Sequence, residues 1–250
     1  MLKRNRWIGL AAAALLVAGV AYASDVWKDK DYQNWDEKDI QKILNDSPWA
    51  HPLQFGGGGS AAMAAPLSAA GSDAAHDGGM STGTGGHGLA AGNGTPASQG
   101  MGPATSFKVM WYSSRTVREA LARGKELNGT SADEARKDLA TAPETYEIAV
   151  LGRNLSAFSR DSDDNLKSHA YLMMKRTKDK IEPSKVTVQK GADGMRPVAV
   201  IFDFPKTTAS GAATIAKDEK GVEFYTKAGT AEIKIAFDLS KMVDKQGPDY

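Results

Sequence analysis

The sequence contains no cysteine, few histidines and almost no net charge, and each shortage excludes a class of function. Without cysteine the chain has no disulfide, no thiolate nucleophile and no cysteine-ligated zinc or iron–sulfur centre. Its 31 Lys and Arg residues balance 30 Asp and Glu residues, so bulk basicity is not available for binding nucleic acid. None of the four histidines has ligand spacing. We therefore expect no metal, no cofactor and no nucleic-acid partner.

Long apolar runs are also scarce, and the one that exists lies at the amino terminus. Three basic residues precede the apolar stretch from Trp7 to Val20, and Ala21-Tyr22-Ala23 follows it. This three-part order is typical of a secretory signal peptide. A membrane-spanning helix needs about 20 apolar residues, more than this run provides. We predict that residues 1–23 are a signal peptide cleaved near Ala23. The mature protein would be exported to the periplasm or secreted, without stable membrane insertion.

Residues 55–106 form a segment of very different composition. They include 15 Gly and 12 Ala, with Asp73 and Asp77 as the only charged residues. Such a stretch has too little apolar surface to offset the conformational entropy lost on ordering. The composition predicts a long disordered linker. Matches to glycine-containing motifs inside it, such as G-x-G-x-x-G at 83–88, lack the flanking strand and helix that would give them meaning.

The short segment 24–54 is rich in tryptophan and predicts a helix that buries one apolar face. Asn34 or Asp36 can cap this helix, and Pro48 ends it. About thirty residues cannot form a core of their own, so another surface must cover the aromatic side chains. Two alternatives are open: docking on the chain's own carboxyl-terminal domain, with residues 51–55 as an edge strand, or docking on another envelope protein. The candidate docking residues are Trp35, Ile40, Leu44 and Trp49.

Residues 107–250 are long enough for one ordinary domain. Ser114, or Ser113 before it, caps a helix with Val117, Ala120 and Leu121 on one face. A second short helix follows Ser131, and several later stretches alternate apolar and polar residues as strands do. We predict an α+β fold, in which two or three helices cover one face of an antiparallel meander.

Several residue patterns resemble a family of uncharacterised exported bacterial proteins. One pattern precedes the linker, from Trp35 through Asp39-Ile40 and Ile43-Leu44 to Ser47-Pro48-Trp49-Ala50. The others follow it: Val109-x-Trp111-x-Ser113-Ser114-x-x-Val117-Arg118-x-Ala120, Ile181-x-Pro183-Ser184-x-Val186, Val222-Glu223-Phe224-x-Thr226-Lys227 and Ile233-Lys234-x-x-Phe237-x-Leu239-x-x-Met242-Val243. The resemblance implies export and one continuous domain plan, and it implies no activity, cofactor or partner.

No catalytic motif emerges from the remaining residues, so we assign no catalytic residue. The most basic stretch of the domain contains Lys175, Arg176, Lys178 and Lys180. Lys175 and Arg176 are the candidates for contact with an anionic surface, either an envelope polymer or phospholipid head groups. The sequence therefore favours a non-enzymatic binding or scaffold module of the bacterial envelope, with a tethered aromatic docking segment. One alternative is a hydrolase of envelope or extracellular polymers that uses Asp203 and Glu223 on neighbouring strands. Another is a binder of small ligands on the helix-covered sheet.

Overall fold

The strands of this protein divide between two antiparallel sheets and a small terminal hairpin. The computed structural model describes residues 25–55, 105–153 and 155–250, so the predicted signal peptide and most of the predicted linker lie outside the described residues. The first sheet has the strand order β1-β2-β3-β7-β6 and the second β5-β4-β8-β9, while β10 pairs with β11. The strands are β1 (Ala50–Phe55), β2 (Thr105–Trp111), β3 (Thr145–Gly152), β4 (Ala170–Met174), β5 (Lys180–Ile181), β6 (Lys185–Lys190), β7 (Pro197–Pro205), β8 (Gly221–Ala228), β9 (Ala231–Asp238), β10 (Val243–Asp244) and β11 (Gly247–Pro248).

Three of the helices begin at the capping residues that the sequence indicates. Asp36 accepts a hydrogen bond from the backbone N–H of Asp39, Ser114 from that of Val117, and Ser131 from that of Glu134. The helices are α1 (Val26–Asp29), α2 (Glu37–Asn45), α3 (Arg115–Leu127), α4 (Ala132–Ala135), α5 (Ser156–Ser159) and α6 (Asp163–Ser168), with 3-10 turns at Tyr32–Asn34 and Lys137–Leu139. Within the described ranges, no helix is long and apolar enough to cross a membrane.

The two sheets pack face to face through aromatic side chains. The ring of Phe224 on β8 lies 5.3 Å from that of Phe202 on β7. The ring of Phe237 on β9 lies 5.1 Å from Trp111 and 5.0 Å from the imidazole of His51. Each of these pairs joins a strand of the first sheet to a strand of the second. The inner faces of the two sheets therefore form the core.

A helical layer lies on the opposite face of the first sheet. Helix α3 packs against α2, and its Arg118 and Leu121 line one cleft with Glu147, which points outward from β3. The second sheet has no such cover within the described residues, and its outer face is exposed or half-buried along β9. This asymmetry leaves the outer face of the second sheet accessible.

The tryptophan-rich segment lies in the same core as the rest of the domain. Strand β1 pairs along its whole length with β2, from Ala50 opposite Met110 to Phe55 opposite Thr105. The guanidinium of Arg123 on α3 donates to the carbonyl oxygen of Trp35. Of the two alternatives left open by the sequence, the structure has docking within the chain, with β1 as an edge strand.

The α+β class is confirmed, whereas the strand arrangement differs from a single meander. Alternation in sequence shows that a strand has one buried face, but not which sheet it joins. Strand β7 lies between β3 and β6 in the first sheet, and β8 lies between β4 and β9 in the second. Residues 206–220 connect these two strands and carry the chain from one sheet to the other.

The carboxyl terminus joins three separate parts of the fold. The carboxylate of Asp249 accepts the backbone N–H groups of Arg115 and Thr116, at 2.6 and 2.9 Å, and so caps α3. Its carbonyl oxygen accepts the indole N–H of Trp49 at 2.6 Å. Arg115 in turn donates two hydrogen bonds to the carboxylate of Asp244 on β10.

The first prediction concerns the connection between β1 and β2. Because Phe55 and Thr105 are paired neighbours, residues 56–104 close a hairpin rather than separate two bodies. Loop-closure entropy grows with the logarithm of length, so replacing about 50 residues by a four-residue turn should raise the free energy of unfolding by about 2 kcal/mol. Urea denaturation of the shortened and full chains measures this difference. A shortened chain that unfolds more easily would contradict the pairing.

The second prediction concerns Glu119, which lines a pocket of about 350 Å³ beside Trp27, Trp35 and Asp244. The pKa of this carboxyl is raised to about 7, mainly by burial; Arg115 opposes the shift, and Asp244 and Asp249 add to it. A raised pKa gives stability that is complete below the unfolded pKa near 4.5 and is lost as the pH rises through 7.

Glu119→Gln should therefore match the original protein at pH 4.5 and exceed it at pH 8.5. After allowance for solvent screening, we expect a gain of about 1–2 kcal/mol in unfolding free energy at pH 8.5. Denaturant titration at both pH values gives the comparison. An equal difference between the two proteins at pH 4.5 and pH 8.5 would exclude ionisation of Glu119 as the cause.

Candidate functional site

The outer face of the second sheet carries a regular array of side chains. In one row across the strands, Tyr171 lies opposite Tyr225 and Tyr225 opposite Lys234. In the next row, Met173 lies opposite Glu223 and Glu223 opposite Ala236. The two tyrosine rings stack at 4.8 Å with an interplanar angle of 14°. The tyrosines therefore stand as a ridge beside a lower row of mostly smaller side chains.

Beyond the second row lies a groove of about 450 Å³. Three lysines line it, and two connections outside the strands supply them. Lys175 and Lys178 belong to the turn between β4 and β5, and Lys220 directly precedes β8. We call this site the lysine groove; its other lining residues are Met173, Gly221, Val222, Glu223, Ala236, Phe237, Asp238 and Ser240.

Small residues keep the floor of the lysine groove low. Ala236 has only a methyl group, and Gly221 has no side chain. A Cβ atom at position 221 would lie 3.1 Å from the carbonyl oxygen of Phe237 and 3.4 Å from the Cδ of Lys175. The absence of a side chain at Gly221 therefore lets the aliphatic part of Lys175 lie close to the strand.

The turn that carries two of the lysines has an unusual backbone. Lys178 has a φ of 65° and is the one non-glycine residue with positive φ within the described ranges. Its N–H donates to the carbonyl oxygen of Met174, and the N–H of Met174 donates to Asp179. Left-handed backbone costs a residue with a Cβ about 1–2 kcal/mol, a cost that glycine avoids. A strained lysine at this position is therefore a reason to look for a role of its ammonium group.

The carboxylates in the lysine groove are each held by another cation. Glu223 forms a salt bridge of 3.2 Å with Lys234, and Asp238 lies 3.7 Å from Lys241. The hydroxyl of Ser240 donates to Asp238 and is the main cause that lowers the pKa of this carboxyl; Lys241 and Lys175 lower it less. The three groove lysines form no salt bridge with any described residue. The groove therefore keeps a positive local charge.

The structure separates the two sequence-predicted anion contacts. Lys175 lines the groove, but the guanidinium of Arg176 is not part of the lining and lies 3.4 Å from the carboxylate of Asp218. Both side chains of that pair are largely exposed, so it contributes little to stability. Nearby, the ammonium of Lys180 lies 4.2 Å from the centroid of the Tyr171 ring. Sequence reasoning found the basic stretch with Lys175 and Lys178 but missed Lys220, which is distant in sequence and lines the same groove.

The four candidate docking residues do not form an open surface. Trp35, Ile40 and Trp49 are 2%, 5% and 0% exposed, and half-buried Leu44 packs against the same core. Trp27 meets the edge of Trp49 at 5.4 Å. These residues hold the amino-terminal segment on its own domain.

The carboxylate pair suggested for a hydrolase is contradicted by the topology. Asp203 lies on β7 of the first sheet and Glu223 on β8 of the second. The alternate positions Phe202 and Phe224 meet between the sheets, so the two carboxylates point away from opposite faces. The direct cross-strand neighbours of Asp203 are instead Glu147 on β3 and Lys185 on β6. Burial raises the pKa of both carboxyls, and Asp203 further raises that of Glu147.

Two further features of the described residues, the clustering of metal-ligating side chains and the serines before α3, do not indicate a reactive site. No group of three or more His, Cys, Asp or Glu side chains in the described part of the chain is arranged to hold a metal ion. The hydroxyl of Ser113 accepts the backbone N–H of Glu147, and that of Ser114 caps α3, so both serines have structural partners. The lysine groove is the site with the clearest chemical character, because three of its lining residues are lysines that form no salt bridge with a described residue.

The chain was compared with family models, curated proteins and solved structures. No family model, no curated protein and no solved structure matches it. The resemblance to uncharacterised exported proteins therefore stays a prediction, and the function must be argued from the site.

Proposed function

We propose that this protein is a non-enzymatic exported binding module of the bacterial envelope and that its lysine groove binds a linear anionic polymer. The observation that carries the proposal is the convergence of Lys175, Lys178 and Lys220 on one recess without salt-bridge partners. Ammonium groups are point donors without a fixed fork, so they suit phosphate or carboxylate groups repeated along a chain.

A polymer suits this face better than a membrane surface. The largest exposed apolar side chains in the described residues are Leu127, Met195 and Val198, and none of them lines the groove. Stable attachment to a bilayer needs an apolar insertion or lipid anchor in addition to basic charge. The experiment below therefore compares binding to polyphosphate with binding to anionic vesicles.

Export is part of the proposal and rests on the amino-terminal sequence. Lys3, Arg4 and Arg6, the apolar run and Ala21-Tyr22-Ala23 together support a cleaved signal peptide. Envelopes contain abundant phosphate- and carboxylate-bearing polymers, which are ligands of the proposed chemistry. Amino-terminal sequencing of protein purified from the envelope fraction should begin at Ser24; an intact Met1 would contradict cleavage.

The third prediction tests the groove with short-chain inorganic polyphosphate as the probe. Replacing Lys175 and Lys220 together by glutamine should weaken binding about 5- to 20-fold at 50 mM salt, since each exposed ion pair contributes up to about 1 kcal/mol. Each lost contact should also reduce the slope of log K against log salt by a little less than one. Isothermal titration calorimetry across three salt concentrations measures both quantities.

The matched control for this test is Lys227→Gln, because Lys227 is exposed on the same sheet but does not line the groove. The control should bind polyphosphate like the original protein. If control and double variant lose the same affinity, binding depends on net charge and the groove is not the site. Tighter binding to phosphatidylglycerol vesicles than to polyphosphate would show that the ligand is a membrane surface and not a polymer.

The fourth prediction concerns Lys178, where stability and binding should change in opposite directions. Lys178→Gly removes the left-handed strain, and after the added freedom of the unfolded chain we expect a gain of about 0.5–1 kcal/mol in unfolding free energy. The same change removes one ammonium from the groove and should weaken polyphosphate binding about two- to fivefold. Thermal unfolding and calorimetry on one sample check both effects. Unchanged affinity would leave Lys178 without a role in the site.

A further inference from the structure

A buried carboxylate directly precedes Lys220 of the lysine groove. Glu219 is 6% exposed, and its two oxygens accept backbone hydrogen bonds from three residues. The N–H of Arg176 lies 3.3 Å from both oxygens, and the N–H groups of Lys220 and Gly221 lie at 3.1 and 3.4 Å from Oε1. Glu219 forms no salt bridge with any residue of the described ranges. The backbone thus forms a small anion nest around this side chain.

The donors of this nest come from the two connections that carry the groove lysines. Arg176 follows Lys175 in the turn between β4 and β5, while Lys220 and Gly221 open β8. One further bond joins the same connections, from the N–H of Lys175 to the carbonyl oxygen of Gly221. Glu219 therefore bridges the two connections that carry Lys175, Lys178 and Lys220.

The nest suits a carboxylate better than an amide, because the N–H of Arg176 lies within hydrogen-bond distance of both oxygens. A carboxylate has two acceptor oxygens and no donor, which matches N–H groups converging from two directions. Glutamine would place its amide NH₂ where one oxygen stood, opposite a backbone N–H. Aspartate keeps the charge, but its side chain is one methylene shorter. Neither substitute can reproduce all the hydrogen bonds to the two connections.

We infer that Glu219 is a positioning residue for the lysine groove, on which anion binding depends although Glu219 does not line the groove. The inference rests on the proposed function. It runs against simple electrostatics, since removing a negative charge near three lysines should by itself strengthen anion binding. A positioning role predicts weaker binding, so the sign of the change separates the two explanations.

The experiment measures polyphosphate affinity and its salt dependence for Glu219→Gln, Glu219→Asp and Asp218→Asn. Asp218 is the matched control, because this acidic residue directly precedes Glu219 but is exposed, pairs with the guanidinium of Arg176 and does not line the groove. We expect Glu219→Gln to weaken binding at least fivefold and to reduce the salt slope as the lysine variants do. Glu219→Asp should weaken binding as well, and Asp218→Asn should leave it unchanged or strengthen it.

The outcomes distinguish this inference from the proposed function. If the lysine variants weaken binding while folded Glu219→Gln and Glu219→Asp bind normally or more tightly, the positioning role is wrong and the groove stands. If Lys175→Gln/Lys220→Gln loses no affinity, both proposals fall. Circular dichroism and thermal unfolding establish that each variant is folded; should Glu219→Gln not fold, the charge-conserving Glu219→Asp decides alone.

Discussion

The buried contacts of Asp249 are the constraint on which the rest of the structure depends. One residue caps α3 with its carboxylate and accepts the Trp49 indole with its backbone carbonyl. Hydrogen bonds to a charged acceptor are among the stronger ones, and their loss would leave buried donors unpaired. The amino-terminal segment, the first helix of the domain and the chain terminus are therefore held together at one point, and β1 takes its place beside β2.

This arrangement determines which surface is left for binding. Helices α2 and α3 pack together, and the inner faces of both sheets are used by aromatic pairs such as Phe202 with Phe224. Among the sheet faces in the described residues, the outer face of the second sheet is the one left uncovered by helices. On this face the tyrosine side chains are long, whereas Ala236 has only a methyl group and Gly221 has no side chain. The resulting groove is flanked by two connections that supply the lysines.

Local structure could be predicted from the sequence because its causes are local. Asp36, Ser114 and Ser131 cap helices as their spacing indicates, and alternation identified strands such as β3 and β9. The division into two sheets could not be predicted, since β7 and β8 have buried faces of the same apolar character. For the same reason Asp203 and Glu223 looked like neighbours, although they belong to different sheets.

Only part of the candidate site could be predicted from the sequence. Lys175 lies in a recognisable basic stretch, but Lys220 is distant in sequence. Nothing in the sequence around Glu219 indicates that its carboxylate is buried.

The site combines two opposite uses of charge within a few residues. Glu219 is removed from solvent, and backbone dipoles replace the water that would otherwise solvate it. The groove lysines are left in solvent without salt-bridge partners, where an ammonium keeps its hydration until an anion arrives. If Glu219 were exposed, it would pair with the nearest lysine and reduce the local potential. If the lysines were buried, desolvation would offset much of their attraction for a ligand. In the proposed function, the charge of Glu219 inside the fold holds the two connections together, and the lysine charges outside leave the groove positive.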